Sequence, residues 1–333
     1  MMKGGCYEVT GGTPRRGVQN ESVSKYLLFA FASLLVFLTG CKHKPLCYPE
    51  AEEVQVVIDW RNAPDAEPGR MTGFFYPVSG GEEIRYDFPT KEGGKVMLNA
   101  GRYRFVTFNL GTDVLRFRGE KKYETLESFT SRTTALSGAL QKMRAPAAYE
   151  TMPFGLSPEP LYAGRVYDVQ VERRREGDPV QQVVVYPEQE VIEITLEVLG
   201  VTNMEQLQGA SAGLSGVASS YFMGLDELGP ESINVPIPLE WGDGEMHGKA
   251  YAYGISPDQL NELTLFVVMQ DGKGYYYTYD VTKQVDAQTG RVRVVIRLTD
   301  GLDLPESDIS QSGSAFTFEI ESWEGVEIEL PMS

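Results

Sequence analysis

The chain has 333 residues, 42% of them hydrophobic, with 47 acidic against 30 basic groups and a net charge of −17. A field of that sign repels phosphate backbones and argues against nucleic acid as a partner. Three cysteines and two histidines leave little material for a disulfide framework or a histidine-based metal centre.

Arg15, Arg16 and Lys25 precede an uncharged apolar run of thirteen residues, Tyr26 to Leu38, which ends in Leu38-Thr39-Gly40-Cys41. A helix needs about 20 residues to cross a bilayer, so this run suits the core of an export signal better than a span. Its ending resembles the lipobox of bacterial lipoproteins. The resemblance implies cleavage before Cys41 and acyl chains on Cys41, which would moor the protein in outer-membrane lipid. Residues 1–40 are then a lipoprotein signal peptide and residues 41–53 a tether containing Pro45 and Pro49. The remaining chain carries 26 basic and 45 acidic groups, a net charge of −19. Cys6 leaves with the leader and Cys41 goes to lipid, so Cys47 stands alone and the folded part must hold without disulfides.

From Val54 the period changes to two. Val54, Val56, Ile58 and Trp60 alternate with Gln55, Val57 and Asp59, as on a half-buried strand. Gly73–Pro77 and Ile84–Phe88 bracket Ser79-Gly80-Gly81 as a hairpin, and Gly93-Gly94 reads as another turn. Arg102 to Asn109 is an aromatic strand with Tyr103, Phe105 and Thr107 on one face and Val106 and Phe108 on the other. Thr133 to Met143 reads as a short helix, and Ala145 to Pro160, with four prolines, as a long irregular connection. Strands resume at Arg165 to Val171 and Val180 to Tyr186.

Pro187 is the expected boundary between a domain at 54–186 and a second at 188–333. In the second, Ile192, Ile194, Leu196 and Val198 alternate with Glu193, Thr195 and Glu197, as on a sheet covering a core. Leu214 to Met223 reads as a closely packed strand. Ile233 to Leu239 contains Pro236 and Pro238, which point to an edge strand or an extended crossover. Lys249 to Ile255 follows, then Ser256-Pro257-Asp258, which resembles a helix start. Leu263–Met269 and Tyr275–Val281 form a hairpin around Asp271-Gly272. Arg291–Leu298, Phe316–Ser322 and Val326–Leu330 close the set. Short strands between turn signals, with scarcely a helix, predict an all-β chain of two tandem antiparallel β-sandwiches.

Catalysis finds little support. His43 sits in the tether beside the lipid-bearing Cys41, and His247 sits in a glycine-rich loop with no cysteine or second histidine at ligand spacing. Gly209 to Gly216 lacks the lysine of a phosphate loop, so close packing explains its glycines. Asp226 with Glu227, and Asp243 with Glu245, are carboxylate pairs of the kind used in glycoside hydrolysis, but 45 acids make such pairs common by chance. Asp300, Asp303, Glu306 and Asp308 form an acidic loop rich in oxygen ligands for Ca²⁺, at no known calcium-loop spacing. No enzyme activity, metal or cofactor is expected. Tyr275, Tyr277 and Tyr279 share a face, and strand propensity favours core over a stacking platform.

Together these segments resemble the fimbrillin-type lipoproteins of Gram-negative anaerobes, the FimB-like and Mfa-like fimbrial anchor and assembly subunits. The resemblance is carried by Cys41-Lys42-His43-Lys44-Pro45-Leu46-Cys47-Tyr48, Ile58-Asp59-Trp60, Gly101-Arg102-Tyr103 with Phe108-Asn109, and Leu214-Ser215-Gly216-Val217-Ala218. Asp271-Gly272-Lys273-Gly274-Tyr275 and Tyr279-Asp280-Val281-Thr282-Lys283-Gln284-Val285 complete it. It implies two transthyretin-like sandwiches, a lipid anchor on the outer membrane, and contact with fimbrial subunit proteins. Sheet edges accept and donate strands. Candidates for exchange are the first strand, through Val54, Val56 and Ile58, and the last, through Val326, Ile328 and Leu330. The alternative is that both strands close their own sheets. A rival reading is a glycan-binding surface lipoprotein for polysaccharide uptake, which requires at least two of Trp60, Trp241 and Trp323 exposed on one face.

Overall fold

The computed structural model describes residues 51–306, apart from 142, 289 and 291, and residues 323–327. The fold is all-β: among the described residues only Ala147–Glu150 and Thr282–Asp286 are α-helical. No described helix is long and apolar enough to cross a membrane. The segments 1–40 and Phe316–Ser322 lie outside the described residues, as do Cys41, His43 and Asp308.

The first sandwich has a three-stranded and a five-stranded sheet. Ala51–Ile58 is central in the smaller one, antiparallel to Gly93–Asn99 and parallel to Gln181–Val185. The larger one runs Glu188–Gln189, Tyr162–Val171, Gly101–Leu110, Arg70–Pro77, Ile84–Phe88. Alternation places Val54, Val56 and Ile58 against Phe75, Tyr103 and Phe105 in the core between them. Each such fully buried aliphatic side chain contributes about 1.5–3 kcal/mol. Gly93-Gly94 is not a turn. It opens a strand, and Gly93 at φ +95° is needed because a Cβ there would lie 2.5 Å from the Val56 carbonyl oxygen.

Val106 and Phe108, on the other face of Gly101–Leu110, join Phe74, Leu161 and Val191 in a further core. Ala218, Tyr221, Met223 and Tyr253 belong to the same core.

In the second sandwich, one layer is formed by Arg293–Leu298, Ile192–Leu199 and Glu245–Ala252. The other runs Ser232–Gly242, Leu207–Ala218, Glu262–Met269, Gly274–Asp280 and Trp323–Glu327. Ile194, Leu196 and Val198 meet Leu214, Leu265 and Val267 between the layers. The charged face of Ile192–Leu199 is neutralised across strands, Glu193 pairing with Arg293 at 2.9 Å and Glu197 with Arg297 at 2.5 Å. Ser232–Gly242 is the crossover that its prolines suggested. It pairs with Leu207–Ala218 through Pro238, then with Glu245–Ala252 from Leu239 onward, so it passes from one layer to the other. Pro236 and Pro238 stand before the second partner begins, where no ladder on that side needs their missing N–H.

Two helical expectations fail for conformational reasons. Thr133–Met143 yields only a 3-10 turn at Gly138–Leu140, because Gly138 takes φ +57° and breaks the α-helical path. Leu140 instead plugs the sheet at Gly209, where a Cβ would sit 2.4 Å from it. After Ser256, whose N–H bonds to the Gly216 carbonyl at 2.9 Å, Asp258 at φ +58° turns the chain away from a helix.

Candidate assembly surface

Among the described residues the strand Trp323–Glu327 is the last of its sheet, parallel to Gly274–Asp280 and in register from Gly274 opposite Trp323 to Thr278 opposite Glu327. Glycines set the fit. A Cβ on Gly274 would come within 2.7 Å of the Trp323 ring, and one on Gly325 within 2.5 Å of the Tyr276 hydroxyl. Trp323 stands edge-on to Phe266 with ring centroids 6.0 Å apart, and its Nε1 donates to the Arg144 carbonyl at 3.1 Å. Tyr149, from the proline-rich connection, stands edge-on to Phe266 at 5.1 Å and to Tyr276 at 5.5 Å. Beside this cluster is a cavity of about 220 Å³ lined by Met143, Ala145, Tyr149, Met152 and Phe154.

The two exchange candidates are thus differently placed. Val54, Val56 and Ile58 are buried on a strand with a neighbour on each side, while Val326 lies on a strand at a sheet end. Ile328 and Leu330 lie outside the described residues.

Other sequence candidates resolve into ordinary roles. Trp60 packs at the rim of the first core, its Nε1 donating to the Lys91 carbonyl at 2.8 Å, and Trp241 packs against the second sandwich core. With Trp323 in the terminal cluster, the three indoles sit on three separate cores and form no shared platform. Tyr277 and Tyr279 are core residues, and burial pushes the Tyr277 hydroxyl up to about 12. Asp226 and Asp243 occupy turns at φ +63° and +52°, a conformation aspartate tolerates. His247 is exposed, 3.0 Å from Glu245. Asp303 accepts from the Thr202 hydroxyl at 2.7 Å, and among the described residues no group of three acids, histidines or cysteines is placed to hold a metal.

Sequence reasoning missed a buried polar joint. Arg165 reaches Glu190 at 2.8 Å and Asp226 at 3.5 Å, and donates to the Met223 carbonyl and the Tyr221 hydroxyl. Tyr221 in turn donates to Glu190 at 2.8 Å and bonds Asp226. Burial raises the Glu190 carboxyl against the opposing pull of Arg165, and burial likewise drives the Tyr221 hydroxyl far up. These residues come from distant parts of the chain, so no local pattern announces them.

Residues 40–240 match a family model described as "Domain of unknown function (DUF5119)". A Bacteroides ovatus protein named "Putative fimbrium anchoring subunit Fim4B" is 28% identical over 156 residues, which is 46% of this chain and 43% of that protein. The match therefore spans under half the length of that curated relative. The crystal structure of "a putative adhesin" from Bacteroides ovatus shares the fold at a TM-score of 0.62 and 21% identity, covering 81% of this chain and 98% of that one. The fimbrial anchor protein Mfa2 from Porphyromonas gingivalis aligns at a TM-score of 0.47 and 14% identity, over 75% of this chain and 90% of that one.

Proposed function

The chain belongs to the DUF5119 family, and from that premise we propose that it is a fimbrial anchor or accessory assembly subunit of the cell envelope. It is held to outer-membrane lipid through Cys41 and works by protein–protein contact rather than turnover. The observation that carries the reading is the 28% identity over 156 residues with a protein named for fimbrium anchoring. Residues 54–186 and 188–333 serve as its two sandwich modules, with fimbrial subunits as partners.

Strand exchange runs through the C-terminal end. Withdrawing Ala51–Ile58 would break ladders on two sides, whereas among the described residues Trp323–Glu327 has one ladder, to Gly274–Asp280. A strand with a single ladder among the described residues is the less costly one to lend to a neighbour.

The test is to isolate the protein from its own envelope as the wild type and as Cys41→Ser. The wild type is expected in the outer-membrane fraction with fimbrial subunits attached. Cys41→Ser is expected to be released from the membrane. A Cys41→Ser protein that stays equally membrane-bound would contradict the anchor, and a wild type without fimbrial subunits would contradict the assembly role.

A further inference from the structure

Among the described residues the strand Arg293–Leu298 ends its layer, laddered on one side to Ile192–Leu199. Its other side is met by two glutamine side chains. Gln284 Oε1 accepts from the Arg297 N–H at 2.9 Å while its Nε2 donates to the Arg297 carbonyl at 3.0 Å. Gln288 repeats this on Val295, accepting at 3.0 Å and donating at 2.8 Å. A primary amide sets an acceptor oxygen beside a donor N–H, as a residue of a neighbouring strand does, and keeps a second N–H to spare. The two amides therefore stand where a next strand would bond, on alternate residues, at the spacing of a ladder.

The helix Thr282–Asp286 fixes this placement. Val285, between the two glutamines, is fully buried in the sandwich core. Gln288 also donates to the Gln284 carbonyl at 2.9 Å, and Asp280 accepts from the Thr282 N–H at 2.9 Å. The first sandwich carries the same kind of closure on Gly93–Asn99, the end strand of its small sheet. There the Tyr86 hydroxyl accepts from the Met97 N–H at 2.9 Å and donates to the Met97 carbonyl at 2.6 Å.

We infer that Gln284 and Gln288 seal the Arg293–Leu298 edge against addition of a strand from a second copy of this chain. The run Arg293-Val294-Val295-Ile296-Arg297-Leu298 is rich in β-branched residues and has no proline, so its bare edge is an aggregation-prone one. The inference does not depend on the anchoring role.

The test uses the full chain in detergent, comparing the wild type with Gln284→Ala/Gln288→Ala. The double variant is expected to exchange the Val295 and Arg297 amide hydrogens about tenfold faster. It is also expected to show a concentration-dependent dimer by sedimentation that the wild type lacks. Adding Val295→Pro, which removes one of the freed N–H donors, is expected to abolish that dimer. Should the double variant lose its fold, Gln288→Ala alone is read in the same way at Val295. Wild-type exchange rates would overturn the inference. So would faster exchange with no new association, or a dimer that survives Val295→Pro.

Discussion

The guanidinium of Arg165 lies 2.8 Å from the carboxylate of Glu190, with a tenth of either side chain exposed. Arg165 belongs to Tyr162–Val171 of the first sandwich, and Tyr221, which bonds to both partners, lies beyond Ile192–Leu199 of the second. Tyr162–Val171 is already laddered to Glu188–Gln189, so the pair lies beside that ladder and Tyr221 ties a third segment to it. A buried pair contributes less than its geometry suggests, because both ions lose water; breaking it on one side is what costs most.

Arg165→Met leaves Glu190 buried without its cation and is expected to destabilise the protein by about 3 kcal/mol at neutral pH. Adding Glu190→Gln is expected to restore most of that loss, measured by urea unfolding of the two single variants and the double. Equal losses in Arg165→Met and in the double variant would show that the pair is not coupled.

The pH dependence of this joint runs opposite to that of the ion-paired Glu193. Burial raises Glu190 above its usual 4.5, so the folded state keeps that proton longer than the unfolded state. Its contribution is fully present below about 4.5 and is lost as pH rises through the raised value. Glu193, hydrogen-bonded and ion-paired to Lys249 and Arg293 against the cost of burial, is lowered and behaves conversely: its contribution is lost as pH falls. Unfolding free energy of the wild type minus that of Glu190→Gln should therefore fall as pH rises from 4.5. A flat difference would refute the assignment.

Gly93→Ala places a Cβ 2.5 Å from the Val56 carbonyl oxygen at a left-handed φ of +95°. A loss of about 1–3 kcal/mol is expected, seen as a lowered melting temperature. Gly80→Ala, also at positive φ but with nothing within 4 Å of its Cβ, is expected to cost less. Equal losses would mean that the contact with the first strand does not matter.

Gly274→Val drives a side chain into the Trp323 ring, so the terminal strand should detach while the sandwich stays folded. Hydrogen exchange should rise within Gly274–Asp280 and remain at wild-type rates in Ile192–Leu199. Unchanged exchange in Gly274–Asp280 would show that the indole does not secure this edge.

Much of the fold was legible because its signal is local. The period-two alternation of Val54, Val56 and Ile58, and of Ile194, Leu196 and Val198, predicts which side chains enter each core. Tyr277 and Tyr279 follow the same rule, and the Asp271-Gly272 hairpin follows turn chemistry. Failures came where backbone conformation is set by distant contacts. Gly93 reads as a turn residue until its approach to Val56 is seen, and Gly138 and Asp258 break helical patterns by adopting positive φ. The polar joint was illegible because Arg165, Glu190 and Tyr221 are brought together only by the packed sheets. Gln284 and Gln288 show their one-turn spacing, but the strand they cover cannot be read from it.

The most direct measurement is co-purification of fimbrial subunits with the protein isolated from its own envelope after deletion of residues 326–333. The truncated protein should remain folded and bound to the membrane yet bring down no fimbrial subunit. Undiminished recovery of those subunits would contradict the account.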